Sequence, residues 1–323
     1  MCHIRFLRWI CITIRDLGNV VVIKQRILMS RETVGLLWGF LGVVIFGATL
    51  PATRAAVMDM APWFVTMGRA AVAGLIALAV LLILRRKLPP RHVRLDIVVA
   101  SVCLCGGFPG FVALAMQTVP ASHGGVVLGI LPLATAICGA LFAGERPSPA
   151  YWIFGIIGAA LVVVFAVRNA DTGLSVGDIY LFAAVILSAI GYVFSARAGR
   201  LMPGWEVISW AVIVALPVTI PVALWLQPAD WGAVRTSAWI GFAYVALMSQ
   251  YIGFFAWNAG LTMGGVARVS QVQLLQTFVT LVVSAAVLGE TIDGITMLFA
   301  IAVVAVVLAG SMTGVRRATV AKA

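Results

Sequence analysis

A row of amides and hydroxyls runs through an otherwise apolar stretch near the end of the chain. Ser270, Gln273, Gln276, Thr277, Thr280 and Ser284 recur at helical spacing and share one face. A second row, Tyr244, Tyr251 and Asn258, repeats every seven residues, with Phe254 between them and Gln250 at its edge. Ser188, Tyr192 and Ser195 share a face further upstream, and so do Trp38 and Thr49. Groups of this kind bind rather than catalyse. Amides and hydroxyls hold a polar head by hydrogen bonds, and rings pack against an apolar body. Gln273, Gln276, Thr280, Tyr251, Asn258, Gln250, Tyr192 and Trp38 are therefore read as the lining of a substrate cavity. The same residues could instead bond or pack neighbouring helices together, and that alternative stays open.

Charged and nucleophilic groups are few. Arg69 lies inside an apolar stretch, where a guanidinium must find carbonyls, water or an anion. It joins the candidate cavity as a counter-charge for a carboxylate, with a snorkelling, helix-pinning role as the alternative. Glu145 and Glu290 each follow a glycine at the end of an apolar stretch, where capping a helix or pairing with a basic residue accounts for them. His123 sits near the start of another stretch, a boundary position that water usually solvates, although its titration range would suit a proton sensor. Cys103 and Cys105 are two apart, so a helix points their thiols about 200° apart, and no acid is near. No catalytic residue, metal site or cofactor is expected, and no Gly-rich phosphate loop is present.

The elements that carry these residues are membrane helices. The 323 residues are 63% hydrophobic and 10% charged, far from the composition of a soluble domain. Crossing the hydrocarbon core takes about 20 apolar residues. Ten such stretches are predicted, at about 34–55, 61–84, 96–115, 122–143, 151–168, 178–198, 205–226, 237–258, 268–288 and 294–314. Continuous apolar runs of this length do not alternate as barrel strands would. The net charge of +11 is not a nucleic-acid footprint, because the basic residues fill short gaps between spans. With ten spans both termini lie on one side. Lys and Arg divide 18 to 3 in favour of that side, which predicts cytoplasmic termini and a multi-pass protein of the inner (plasma) membrane.

The chain repeats itself. Residues 121–146 and 266–291 are each one long apolar stretch stopping at Gly-Glu, 145 positions apart. Residues 33–168 and 177–314 are read as two repeats of five spans, with a basic tail at 315–323 and an extension at 1–28 for which Met29 is an alternative start. Five is odd, so the second repeat enters the membrane upside down relative to the first. The expected fold is all-α, ten transmembrane helices in two inverted five-helix repeats, an architecture suited to alternating access at a midplane site. The second copy has Gln273 and Gln276 where the first has Leu128 and Leu131. Packing symmetry needs no such change.

These features together resemble the drug/metabolite transporter (DMT) superfamily, in its ten-span members with two EamA-type repeats. The resemblance covers about residues 33–314 and rests on the duplication, on Pro132 thirteen residues before Glu145, and on LLQTFVTLVVSAAVLGE at 274–290. Arg69 in the second span and WGFLGVVIFGATLPATRAA in the first add to it. One departure is Thr277, which stands where the family usually has the proline that partners Pro132, leaving a kink there without its usual cause. The resemblance implies efflux or exchange of small metabolites. The expected partners are a small-molecule substrate and the lipid bilayer, with no nucleic acid, and the layout is compatible with a homodimer. An uncharged or zwitterionic, amino-acid-like substrate fits the single embedded Arg and the lack of a midspan Asp or Glu. The alternatives are a polytopic sensor or scaffold and a membrane-embedded enzyme. The first would be expected to carry a soluble output domain and the second clustered reactive groups.

Overall fold

The computed structural model describes residues 31–168, 175–264, 272–312 and 315–317. The extension 1–28, Arg268, Ser270 and the tail beyond residue 317 lie outside the described residues. Eight helices are long and apolar enough to cross a membrane: Thr33–Val57, Pro62–Ile83, Arg91–Ala115, Ala121–Phe142, Pro149–Arg168, Val176–Ala198, Gly204–Trp225 and Thr236–Gly260. Two shorter apolar helices, Leu275–Leu288 and Gly294–Gly310, follow them. In chain order these are the first to tenth spans. In a bilayer only such closed backbone ladders leave no peptide group unbonded. Leu82, Ile156, Val282 and Leu298 are exposed on the outside of the bundle, a surface that needs hydrocarbon rather than water around it.

The packing follows the duplication. The first span lies along the eighth, and the third lies along the sixth, which is the same contact with the repeats exchanged. The second span meets the seventh, the fourth meets the ninth and the fifth meets the tenth, so each equivalent pair touches across a pseudo-twofold axis. The first and eighth spans approach closely enough that a Cβ on Gly260 would come within 2.6 Å of the Gly39 backbone nitrogen. Small residues permit that approach where no hydrophobic effect drives helices together.

The repeated Gly-Glu has a backbone cause. Gly144 and Gly289 both adopt φ +68°. The N–H of Gly144 bonds Gly139 O, and the N–H of Gly289 bonds Ser284 O, 145 residues further on. Each glycine is a left-handed cap that closes its helix on an otherwise unbonded carbonyl. A Cβ at either position meets nothing within 4 Å, so the requirement for glycine is conformational alone. Gly289→Ala and Gly144→Ala should each destabilise the fold by about 1–2 kcal/mol. Gly294→Ala, also in open space but without positive φ, should not. Unfolding midpoints of the three purified variants check this.

One short ladder joins the all-helical bundle. Glu145–Pro147 pairs antiparallel with Val315–Arg317, bringing the start of the C-terminal tail to the end of the fourth span. The face holding this ladder is the terminal face, and the other is the opposite face.

Candidate functional site

Four spans lose regular helix geometry near the centre of the bundle. The third span is π-helical over Val102–Gly107, and the eighth over Tyr244–Ile252. Residues 247–252 are the repeat equivalents of 102–107, 145 positions on. The fourth span tightens at Leu128–Ile130 and resumes at Leu131. Pro132 has no N–H for Leu128 O, which explains that break. The ninth span turns at Gln273 and Leu274, the equivalent place, before its helix starts at Leu275. Thr277 replaces the proline there, yet the break is kept. The discontinuity therefore belongs to the architecture of the repeat, not to one residue. Irregular backbone at membrane depth is tolerated where it is buried in protein or lines a cavity.

Two adjoining voids lie among these breaks. The larger, about 20 Å³, is bounded by Arg69, Thr49, Tyr192, Ser249, Gln250 and Gln276, with Phe46, Phe108, Phe254 and Leu131 as its apolar wall. The smaller, about 10 Å³, lies between the fourth and ninth spans against Gln273, Gln276, Thr277 and Thr280. Gln276 borders both. Such volumes admit single waters.

The centre is marked by a contact between repeat-equivalent residues. Gln250 Nε2 donates to Leu104 O at 3.3 Å and to Cys105 Sγ at 3.6 Å, and Cys105 and Gln250 are themselves 145 apart. Beside them, Arg69 Nη2 donates to Ser249 Oγ at 3.0 Å, and the Ser249 and Thr49 hydroxyls are 2.8 Å apart. Arg69 is 3% exposed. It does not snorkel, because its guanidinium points into the bundle.

The candidate residues part ways in three dimensions. Arg69, Tyr192, Gln250 and Gln276 line the larger void, and Gln273, Gln276 and Thr280 line the smaller. The Thr280 hydroxyl also donates to Gly47 O at 2.8 Å. That carbonyl lacks its helical donor because Pro51, four residues on, has no N–H. Tyr251 and Asn258 face the seventh span: the Tyr251 hydroxyl is 2.8 Å from Ser209 Oγ, and Asn258 Nδ2 donates to Gly204 O at 2.9 Å. Trp38 is 42% exposed on the outside of the first span. Seven-residue spacing keeps residues on one face only in an α-helix, and the π-helical stretch turns Tyr244 and Tyr251 to different neighbours. Tyr244 accordingly donates to Ile45 O of the first span at 2.8 Å. Ser249 and Cys105 join the centre although the residue pattern does not single them out as lining. Ser249 interrupts an apolar run beside Gln250, and Cys105 is the repeat partner of Gln250, a match the 145-residue offset could have shown.

Ion pairs join the two repeats at both faces. On the opposite face, Glu290 accepts from Ala121 N at 2.9 Å and Ser122 N at 2.8 Å, and lies 3.4 Å from Arg54 Nε. Arg54 Nη1 donates in turn to the carbonyls of Met116 and Val119. Glu290 thus caps a helix and pairs with a base, but the helix is the fourth span rather than the one that follows it. Asp59 receives Arg235 Nη2 at 2.6 Å. The Arg235 guanidinium holds that carboxyl below its ordinary range. His123 is buried, not solvated: its Nε2 is 2.6 Å from Asp178 Oδ1 and its ring stacks on Phe165. On the terminal face, Arg86 pairs with Glu206 at 3.2 Å and Arg197 with Asp96 at 3.3 Å. Every one of these pairs links a residue of the first repeat to one of the second.

The same division appears in comparison with known proteins. The model of the EamA-like transporter family matches residues 33–167 and again residues 175–311. The chain belongs to the EamA-like transporter family. It is a multi-pass membrane transporter and not an enzyme. It is 41% identical over 281 residues to a Bacillus subtilis (strain 168) protein named uncharacterized transporter YdeK, covering 87% of this chain and 98% of that one. It is 25% identical over 268 residues to the Escherichia coli (strain K12) uncharacterized inner membrane transporter YedA, covering 82% and 87%. A crystal structure at 20% identity superposes with a TM-score of 0.61 over 88% of this chain and 99% of its own, which shows the shared fold.

Proposed function

We propose that this EamA-like transporter exports or exchanges a small uncharged or zwitterionic metabolite, amino-acid-like in character, by alternating access. One observation carries the proposal. The breaks in the third, fourth, eighth and ninth spans converge on a central void lined by amides, hydroxyls and rings. Inter-repeat ion pairs close both faces around it. Releasing the pairs at one face while keeping those at the other would open the void to one side at a time. The void is complete within one chain, so a homodimer would carry two separate pathways. The excess of Lys and Arg on the terminal face supports cytoplasmic termini. The name of the YedA relative supports an inner-membrane location.

Counterflow in vesicles tests this. Purified protein in liposomes should exchange labelled neutral amino acids across the membrane above protein-free vesicles. Running the same panel with and without a pH gradient reads out coupling to protons. Vesicles that exchange no member of a broad metabolite panel, with the protein folded and inserted, would contradict the proposal.

A further inference from the structure

Arg69 is a buried cation with no anion beside it among the described residues. Among the described residues no carboxylate lies within ion-pair distance of it, and no Asp or Glu borders the void it enters. Its Nε has no hydrogen-bond partner, and its side-chain bond is to the Ser249 hydroxyl at 3.0 Å. A guanidinium removed from water without a counter-ion is strongly unfavourable unless something else supplies the negative charge. The equivalent seventh span has no cation anywhere along Gly204–Trp225, so the symmetry of the fold does not require this one. The other ion pairs of the bundle lie at the two faces and match each cation with an acid. Arg69 alone is central and unmatched among the described residues.

We propose that Arg69 is the anchor for a carboxylate on the transported molecule, which narrows the substrate to molecules with one carboxylate and an apolar body, of the zwitterionic kind first. This rests on the transport reading above. The free Nε and the terminal nitrogens form a planar fork, the geometry that holds a carboxylate by two parallel hydrogen bonds. Ser249 and Thr49, linked hydroxyl to hydroxyl at 2.8 Å, steady the fork from one side. Phe46, Phe108 and Phe254 offer an apolar surface to the rest of the molecule. Gln276 and Tyr192, which border the same void, carry oxygens of the kind that accept from an ammonium group. One guanidinium balances one carboxylate. A phosphate dianion would leave a negative charge buried in a wall that has no second cation among the described residues.

Paired ligands test the proposal. Binding to detergent-purified protein is read by thermal stabilisation, using 3-phenylpropanoate against 3-phenylpropanamide and L-phenylalanine against L-phenylalaninamide. Each carboxylate should bind about 100-fold more tightly than its amide, the range expected for hydrogen bonds to a charged group. Arg69→Gln should bring that ratio close to one, and Arg69→Lys, which keeps the charge but loses the fork, should fall between. A merely structural arginine would change stability without changing the ratio. If Arg69→Gln does not fold, the wild-type ratio decides by itself. Equal binding of acid and amide to the wild type overturns the anchor. So does counterflow in which the carboxylate-bearing compounds move as fast in Arg69→Gln as in the wild type, a result that leaves the transport reading intact. Absence of counterflow for every compound overturns the transport reading, and the anchor with it.

Discussion

Gln276→Leu should reduce transport by about 10- to 100-fold while leaving the unfolding midpoint within a few degrees of wild type. Its amide borders both central voids and makes no side-chain hydrogen bond among the described residues. Removing it leaves no polar group of the described residues unsatisfied, and leucine is close to it in size. A loss of flux without a loss of stability would therefore report on the molecule passing through. Asn258→Leu should behave in the opposite way. Asn258 is bonded to Gly204 O and faces the seventh span, so its replacement should cost about 1 kcal/mol of stability and spare the apparent affinity for substrate. Initial rates of counterflow and melting curves of both variants separate the two roles. Wild-type flux in Gln276→Leu would remove that residue from the site.

Glu290→Ala should destabilise the closed opposite face by about 3 kcal/mol. The carboxylate satisfies two backbone N–H groups at the start of the fourth span, where Pro120 offers no side-chain cap, and neutralises Arg54. Its loss leaves three donors facing a vacated position that is largely shielded from water. Arg54 keeps its two carbonyl partners, so the span itself should remain in place. The expected results are a lower melting midpoint and faster labelling of cysteines introduced near residue 121 from the opposite side of the membrane. Unchanged labelling together with an unchanged midpoint would show that Glu290 does not latch the repeats.

Much of the fold is legible in the chain. Ten apolar stretches, their division into two fives and the placing of Gly-Glu at the ends of the fourth and ninth follow from periodicity and spacing. Spacing marks the two glycines as span ends but says nothing of their left-handed backbone. The site is legible only in part. Gln276 and Arg69 stand out because a polar group in an apolar span is conspicuous, and both border the larger void. Tyr251 and Asn258 stand out for the same reason and bond the seventh span instead. A shared face for them requires a uniform helix, and the π-helical segment at Tyr244–Ile252 is not uniform. Nothing in the residue pattern of that segment announces the wider turn. The partners of His123 and Glu290 are equally invisible, since Asp178 and the fourth-span amides are 55 and 168 or more residues away.

By itself, the sequence determined the solvent, the element type, the number of spans and their inverted duplication. Each of these depends on hydrophobicity summed over about 20 residues, a quantity that local composition holds in full. Only the tertiary structure decided which polar groups face a void, which bond a neighbouring helix and which stand unpaired. Those outcomes turn on a few degrees of helix rotation and on contacts across roughly 50 to 200 positions, such as Thr49 with Ser249 and Arg69 with the same serine. Spacing along one span cannot encode them, because the partner of each group is set by packing of the other repeat.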